Sequence, residues 1–204
     1  MSPDYKILAE IHRGRKRVVY RGQRLSDQAP IIVKTLIDGF PHPADIAGLQ
    51  REYDLISNLP IEGIAKALAL EHYHNSPALI LDDSGGESLR NLIDSKGIDL
   101  DIFFEISLQL SATLAAIHQH EIIHKDIAPK NIIINLAKRQ VQLIDFSIAS
   151  RLPHENQKIS HPNLLEGTLA YMSPEQTGRM NRSIDYRTDL YSLGVTFYEM
   201  LTGR

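Results

Sequence analysis

The sequence separates into a β-prone part followed by a helical part. Three short β-prone runs lie between residues 5 and 36: "YKILAEI", "RVVYRG" and "PIIVKTLI". Glycine, proline and charged residues separate these runs, a pattern typical of an antiparallel meander. Beyond Gly97, "DLDIFFEISLQLSATLAAIHQHE" carries apolar residues around most of a long helix. We therefore expect an α+β chain, in which a small antiparallel sheet precedes a mostly helical part.

Hydrophobic spacing predicts the remaining elements. A helix should begin at Pro43 in "PADIAGLQREYDLISNL", and strands are expected in "IAKALALEHYH", "PALILDD", "NIIIN" and "VQLID". The glycine pair at 85 and 86 indicates a hinge before a further helix. The long helix after Gly97 should be buried around most of its surface. A last helix, roughly Thr188 to Leu201, should pack through one apolar face, formed by Leu190, Leu193, Phe197 and Leu201.

Composition excludes several classes of protein. With 204 residues, 43% of them hydrophobic, the chain can bury a core, and its net charge of −3 gives no support for nucleic-acid binding. It has no cysteine, which excludes disulfides, thiolate metal sites and a cysteine nucleophile, and fits a reducing compartment. The amino terminus lacks the apolar core of a signal peptide, and we expect no later run that approaches the ~20 apolar residues of a membrane span. A cytoplasmic location is therefore expected.

Five polar residues stand at positions that could support phosphoryl transfer. Lys34 ends an apolar strand, Glu52 lies in mid-helix, Asp126 and Asn131 follow the long helix, and Asp145 ends a strand. Taken singly, such residues are more often surface or turn residues. Together they supply what transfer from ATP needs: a cation for the phosphates with its carboxylate partner, two oxygen ligands for Mg²⁺, and a carboxylate beside the acceptor hydroxyl.

Five motifs in a fixed order resemble the eukaryotic-type protein kinase family, in its bacterial serine/threonine branch. "IIVK" is similar to the V-A-I-K strand, "HKDIAPKN" to the catalytic loop H-R-D-L-x-x-x-N, and "IDF" to the start of D-F-G. "GTLAYMSPEQ" resembles the stretch that ends in A-P-E, and "DLYSLGVTFYEMLTGR" resembles the helix that follows. The resemblance implies a two-lobed fold: a sheet lobe over residues 1–83 with five strands, one helix and an ATP lid, and a mostly helical lobe over residues 84–204.

The resemblance assigns roles to the five polar residues. Lys34 would contact the α- and β-phosphates of ATP and pair with Glu52. Asp126 would accept or orient the substrate hydroxyl, while Asn131 and Asp145 would hold Mg²⁺. His124 would be structural, and Asp189 would accept backbone N–H groups of the catalytic loop. Thr168 would line the substrate-facing segment.

Further residues of the nucleotide site follow from the same resemblance. Leu81 would guard the back of the adenine pocket, and the backbone of Asp82, Asp83 and Ser84 would form the hinge. The lid motif G-x-G-x-x-G-x-V is matched only by Gly14 and Val19, because "HRGRKRVV" has His12 and Arg17 in place of the outer glycines. Side chains there should reshape the lid, although Arg17 could add positive charge.

The catalytic loop departs from the family pattern at the phosphoryl-stabilising cation. Ala128 stands where serine/threonine kinases carry a lysine, whereas Lys130 stands where tyrosine kinases often place an arginine with a similar task. We therefore expect Lys130 to belong to the catalytic set with Asp126 and Asn131. Lys125 replaces the arginine before the catalytic aspartate. The planar, bidentate guanidinium of arginine is thus replaced by the point charge of an ammonium group.

The end of the sequence leads to two further expectations. The family's domain continues with more helices after the one ending near Arg204, so we expect a fragment or a truncated product that lacks the last helices. Glu175 would then lack its usual arginine partner. The wording of "EQTGRMNR" resembles a bacterial subgroup in which the kinase-like domain precedes ATPase and sensor histidine kinase domains.

Three functions remain open on the sequence. The first is a protein serine/threonine kinase that uses ATP and Mg²⁺ on a protein substrate. The second is a pseudokinase, a nucleotide-binding or purely scaffolding module that regulates attached domains without transfer. The altered lid, Ala128 and the expected truncation favour it. The third is a small-molecule phosphotransferase, which is disfavoured because "GTLAYMSPE" resembles a peptide-substrate platform.

Overall fold

A computed structural model describes residues 4–37, 41–74, 76–152, 167–180 and 183–204, with only the backbone of Lys96. The chain forms two compact units, Met1–Pro60 with Ala65–Gly85, and Ile61–Ile64 with Gly86–Arg204. The first is a sheet with one helix and the second is mostly helical, which is the α+β arrangement expected from the sequence. The expected lobe boundary after residue 83 stays a prediction.

The first unit is an antiparallel sheet of five strands in the order β1-β2-β3-β5-β4. The strands are β1 (Tyr5–Arg13), β2 (Arg17–Arg24), β3 (Pro30–Leu36), β4 (Ala67–Tyr73) and β5 (Ser76–Asp82). One face of the sheet carries the apolar cluster of this unit, formed by Tyr5, Ile31, Val33, Ala78 and Ile80. The meander predicted from the first three β-prone runs is confirmed.

Helix α1 (Pro43–Ile56) follows β3 in the same unit. Pro43 suits the first turn of this helix, because an N–H at this position would have no partner within the helix and proline has none. His42 Nδ1 caps the helix by accepting the N–H of Ala44 at 3.2 Å. The buried face of α1 carries Leu49 and, unusually for an acidic residue, Glu52. A buried carboxylate needs a partner, and this one is described below.

The second unit contains three α-helices and five short strands among its described residues. The helices are α2 (Leu89–Lys96), α3 (Leu100–Gln119) and α4 (Tyr186–Thr202). The strands are β6 (Glu87–Ser88), β7 (Ile122–Ile123), β8 (Ile132–Asn135), β9 (Gln140–Leu143) and β10 (Ser150–Arg151), paired as β6-β8-β9 and β10-β7. Two 3₁₀ turns, Pro129–Asn131 and Leu169–Tyr171, complete the unit. Residues 153–166 of the predicted irregular stretch lie outside the described residues.

Helix α3 packs through one face, so the prediction that it is buried around most of its surface is wrong. Its buried side chains include Ile106, Leu110, Leu114 and Ile117, whereas Leu100, Phe104 and Leu108 are 58–71% exposed. The exposed three recur every four residues and therefore form one stripe. Hydrophobic spacing could not predict the covered face, because α3 carries apolar residues on both faces. Its neighbours β7, β9 and α4 decide which face is covered.

Helix α3 also corrects the expectation that no run approaches the length of a membrane span. The helix Leu100–Gln119 has 20 residues, and an 18-residue stretch of it has a mean hydropathy of 1.5, so by length and composition it could cross a membrane. This is weak evidence for a span, because the core helix of a globular protein passes the same test.

Helix α4 buries a mostly polar set of residues, and the predicted apolar face is only partly covered. Leu193 is buried, but Leu190 and Leu201 are about half exposed. The polar residues that it buries are Thr188, Asp189, Ser192, Thr196 and Glu199. Such groups are tolerated inside a protein when they are hydrogen-bonded. The partners of this face lie in the candidate site, which is why hydrophobic spacing could not predict it.

Gly86 is required by a close approach of two strands. A side chain at this position would lie 2.5 Å from the carbonyl oxygen of Ile134 and 2.8 Å from Cγ2 of Ile133. Backbone atoms of β8 cannot move aside cheaply, so glycine lets β6 pair with β8. The sequence indicated only a hinge at this glycine pair.

We predict that Gly86→Ala lowers the free energy of unfolding by about 1–3 kcal/mol, because the added methyl group overpacks β6 against β8. Denaturant titration followed by circular dichroism measures the change. Gly194 is a matched control: it lies exposed within α4, and a side chain there would meet nothing within 4 Å. Gly194→Ala should raise the stability by roughly 0.5–1 kcal/mol through helix propensity. An equal effect of both variants would contradict the packing argument.

Candidate active site

A buried ion pair joins β3 to α1 in the first unit. Lys34 Nζ donates to both carboxylate oxygens of Glu52, at 3.0 and 2.7 Å, and the two side chains are only 8% and 1% exposed. Each charge is costly to bury alone, so each depends on the other. The structure thus brings together the two residues that the family resemblance paired.

The strand register places His12 on the same face of the sheet as Lys34, two strands away. His12 of β1 is opposite Val19 of β2, and Val19 is opposite Lys34 of β3. Directly opposed residues project from the same face of a sheet. The histidine that replaces a lid glycine therefore shares a face with Lys34.

The β1–β2 turn does not itself require glycine. Gly14 N donates to Arg17 O at 2.9 Å, which closes the turn. A side chain at Gly14 would meet Arg17 O and His12 Nε2 at 3.6 Å, which is an ordinary contact. The assignment of Gly14 and Val19 to the lid stays a prediction, and the geometry of the turn gives no independent reason for the glycine.

Two contacts that the sequence did not reveal tie this turn to α1. Lys16 Nζ lies 3.0 Å from Asp45 Oδ1. A side chain on Gly48 would lie 3.1 Å from Arg17 Nη2, so the guanidinium lies over this glycine. Glycine within a helix is unfavourable, and the position of Arg17 supplies a reason for it. Both contacts depend on tertiary structure, and no local pattern predicts them.

Both acidic residues of the predicted hinge use their carboxylates within the first unit. Asp82 Oδ1 accepts the N–H of Lys66 at 2.5 Å, and Asp83 Oδ2 accepts Arg21 Nε at 2.5 Å. Leu81, which precedes them, is 6% exposed. The three residues are therefore held in place by the sheet, and any recognition of a base here would fall to the backbone.

Asp126 is the centre of the second unit's polar site. Its side chain is 10% exposed, and Oδ1 accepts both the N–H and the hydroxyl of Thr168, at 2.7 and 2.5 Å. Oδ2 accepts Asn131 Nδ2 at 2.8 Å and lies 3.6 Å from Lys130 Nζ. The structure thus gathers around one carboxylate the three predicted catalytic residues, Asp126, Lys130 and Asn131, together with Thr168.

Asp189 fixes the backbone that leads into this carboxylate. It is fully buried, Oδ1 accepts Lys125 N at 2.7 Å, and Oδ2 accepts His124 N at 2.9 Å. His118 Nε2 of α3 also lies 2.9 Å from Oδ2. Lys125 has φ +69°, a left-handed conformation that is unfavourable for a residue with a Cβ. The bond from Lys125 N to Asp189 helps to hold it there.

His124 is structural in this arrangement. It is fully buried, its Nδ1 accepts the N–H of Asp126 at 3.2 Å, and its ring meets Phe146 edge to face. Because Nδ1 accepts, the proton belongs on Nε2, which donates to the carbonyl oxygen of Ile144 at 3.1 Å. Both nitrogens are thus used in holding the loop.

Asn131 and Asp145 lie at the same end of the β8–β9 hairpin. The N–H of Ile144, directly before Asp145, donates to Asn131 O at 2.9 Å. Asn131 Nδ2 is directed at Asp126, so its side-chain oxygen remains as a ligand atom. An amide oxygen and a carboxylate are the hard ligands that Mg²⁺ prefers, so the donor set fits the ion. The described part of the chain contains no cluster of three or more His, Asp or Glu that could hold a metal alone.

A network that the sequence analysis missed fixes the segment after Thr168. Arg90 of α2 donates to Glu199 Oε1 and to the hydroxyl of Tyr171, and that hydroxyl donates to Glu199 Oε2. Burial, reinforced by Glu199, raises the pKa of Tyr171 to about 12, so the hydroxyl keeps its proton. Ser192 Oγ donates to Tyr171 O at 2.7 Å. The signal in the sequence was a set of polar residues at helical spacing in α4.

Glu175 bonds to a hydroxyl of α4. Its Oε1 accepts the hydroxyl proton of Thr188 at 2.8 Å, and Thr188 is fully buried near the start of that helix. The expectation that Glu175 lacks its usual arginine partner stays a prediction.

Comparisons with known proteins agree with this geometry. The family model for the protein kinase domain matches residues 5–204. A Clostridium perfringens protein described as a probable serine/threonine-protein kinase is 30% identical over 98% of this chain. The serine/threonine-protein kinase pkn2 of Myxococcus xanthus is also 30% identical over 98% of the chain, and a PknB-type probable serine/threonine-protein kinase of Lactococcus lactis is 28% identical over 98%.

The chain spans only part of these relatives. It covers 29%, 24% and 32% of their respective lengths. The similarity therefore concerns one domain of each relative. Since the family model matches nearly all of this sequence, the chain belongs to the protein kinase domain family.

Proposed function

We propose that this domain transfers the γ-phosphoryl group of ATP to a serine or threonine hydroxyl of a protein, with Mg²⁺. The observation that carries the proposal is the Asp126 carboxylate, oriented by Thr168 and Asn131 with Lys130 beside it. A fixed carboxylate can accept the proton of the acceptor hydroxyl. The neighbouring cation can offset the negative charge of the phosphoryl group that approaches this hydroxyl. The relatives named as serine/threonine-protein kinases support the same class of acceptor.

Each residue has a task in this proposal. Asp126 orients the acceptor hydroxyl and takes its proton, and Lys130 offsets charge on the transferred group. Lys34, held by Glu52, binds the α- and β-phosphates, and the side-chain oxygens of Asn131 and Asp145 hold Mg²⁺. When bound, the ion neutralises charge developing on the phosphates. Gly14, Val19, Leu81, Asp82 and Asp83 complete the nucleotide site through the lid and the hinge.

Lys130 is the candidate for the cation that Ala128 cannot supply. Ala128 is fully buried, so the loop turns this position inward. Lys130 Nζ lies 3.6 Å from Asp126 Oδ2, and its side chain is 54% exposed, so it can follow an incoming phosphoryl group. A lysine provides a compact point charge for this purpose.

A second candidate is a nucleotide-binding regulatory module without transfer. His12 favours it, because the strand register places this side chain on the face of Lys34, where the family's lid has glycine. A side chain there could hinder phosphate placement without preventing nucleotide binding. The variants below separate the two candidates.

The setting of the domain is also part of the proposal. The stretch "EQTGRMNR" supports a place in a bacterial signalling protein that also carries ATPase and sensor histidine kinase domains. Use of ATP and the absence of cysteine from the sequence support a cytoplasmic location. Detection of these domains on the same polypeptide, by mass spectrometry of the native protein, tests the setting.

We predict that Asp126→Asn lowers phosphoryl transfer by at least about 10²-fold, because the amide cannot take the hydroxyl proton. Labelled ATP with Mg²⁺ and a protein acceptor measures transfer, and calorimetry measures nucleotide affinity, which should remain. Equal labelling by wild type and Asp126→Asn would exclude catalysis. Nucleotide binding would then leave the regulatory module as the function.

Lys130→Ala should lower kcat about tenfold or more while leaving the KM for ATP nearly unchanged, since Lys130 acts on the transferred group. Lys138→Ala is the matched control, because Lys138 is an exposed lysine on the β8–β9 turn. Steady-state kinetics of both variants measure the effect. Unchanged turnover in Lys130→Ala would remove Lys130 from the catalytic set.

Glu52→Gln should destabilise the domain by about 3–5 kcal/mol, because it removes the negative charge that offsets the buried ammonium of Lys34. Replacing both, as Lys34→Met with Glu52→Leu, should recover much of this stability but not nucleotide affinity. Thermal unfolding and nucleotide titration measure the two effects. A double variant that binds ATP as the wild type does would show that the pair is only structural.

A further inference from the structure

The peptide group between Lys125 and Asp126 is held on both of its polar atoms. The N–H of Asp126 donates to His124 Nδ1 at 3.2 Å, and the carbonyl oxygen of Lys125 accepts Gln176 Nε2 at 2.8 Å. This peptide leads directly into the Cα of Asp126, so its orientation determines where the carboxylate points. Gln176 is thus the partner of one polar atom of this peptide, although it lies 51 residues away in sequence.

The conformation of Lys125 makes this bond consequential. With φ +69°, the residue would relax towards the ordinary negative range if its amide groups were released. Its N–H is held by Asp189 and its carbonyl by Gln176. Loss of Gln176 therefore removes one of the bonds that hold the peptide before Asp126 in its orientation.

Gln176 is itself held in one orientation. Its Oε1 accepts the N–H of Ser173 at 3.1 Å and the hydroxyl of Ser173 at 3.3 Å. Because Oε1 is used by these donors, Nε2 must face the carbonyl oxygen of Lys125. Ser173 is fully buried, and its hydroxyl also lies 3.3 Å from Thr188 Oγ1 of α4. The turn Ser173–Gln176 thus presents Gln176 Nε2 to the catalytic loop as a donor of fixed orientation.

We propose that Gln176 is a positioning residue for Asp126, which couples the geometry of the catalytic carboxylate to the Ser173–Gln176 turn. This inference rests on the proposed kinase function for its kinetic consequence. Its structural part, the fixing of the Lys125–Asp126 peptide, stands on the contacts alone. When the turn is in place, Lys125 keeps its left-handed conformation and Asp126 keeps the orientation in which Thr168 and Asn131 bind it.

Gln176→Glu tests the proposal in the full-length protein. The ionised carboxylate has no proton to donate, so it repels the carbonyl oxygen of Lys125 at neutral pH. The protonated acid can donate, so the defect should shrink as the pH falls. We expect kcat roughly 10- to 100-fold below wild type near neutral pH, with little change in the KM for ATP. The ratio of variant to wild-type kcat should rise towards one as the pH is lowered.

Gln109→Glu is the matched control. Gln109 Nε2 donates to Arg139 O and its Oε1 accepts the N–H of Val141, both at 3.1 Å, so it also links two backbone groups within the second unit. Its partners lie on the β8–β9 hairpin and not in the catalytic loop. We expect a comparable loss of stability and a wild-type kcat.

Amide hydrogen exchange over residues 122–128 tests the positioning role of Gln176 independently of the proposed kinase function. Exchange should be faster in Gln176→Glu than in wild type or Gln109→Glu, whether or not phosphate is transferred. Absence of transfer by the wild type would contradict the proposed function, while exchange would still decide the role of Gln176. Unchanged exchange in Gln176→Glu, or equal kinetic loss in both glutamate variants, would overturn the positioning role.

Discussion

The buried carboxylate of Asp189 is the constraint on which the second unit's site depends. It receives the N–H groups of His124 and Lys125 and contacts His118, so it joins α4 to the loop and to α3. A buried carboxylate without these donors would be costly, and the loop without this acceptor would lose the bond that helps to hold Lys125 in its left-handed conformation. The two costs are avoided together, which is why the loop and α4 stabilise each other.

The same helix organises the segment that follows Thr168. Its buried polar face provides Ser192 for the carbonyl of Tyr171, Glu199 for Arg90 and Tyr171, and Thr188 for Glu175. These bonds are directional, so they define one arrangement where apolar packing alone would allow several. Asp126 is therefore oriented from both sides: by the loop through Asp189 and His124, and by the segment through Thr168 and, we propose, Gln176.

Much of the fold could be predicted from local patterns. The strands of the first unit, α1 and the β8–β9 hairpin follow from alternation, helical spacing and turn residues. The faces of α3 and α4 could not be predicted, because α3 is apolar on both sides and α4 buries polar residues. Hydrophobic spacing identifies an element, whereas its covered face depends on neighbours that are distant in sequence. The contacts of Gln176, Asp45 and Gly48 were missed for the same reason.

The sequence by itself determined the class of fold and the order of the motifs, since both depend on residue type and local spacing. It therefore also determined the chemistry available in the loop: an aspartate, a lysine and an asparagine ahead of a buried strand. Only the tertiary structure decided how that chemistry is arranged, because the groups that orient Asp126 come from far along the chain. Thr168 lies 42 residues away, and the loop's support on Asp189 spans 65 residues. Hydrogen bonds over such separations form only when the packed elements bring their atoms together.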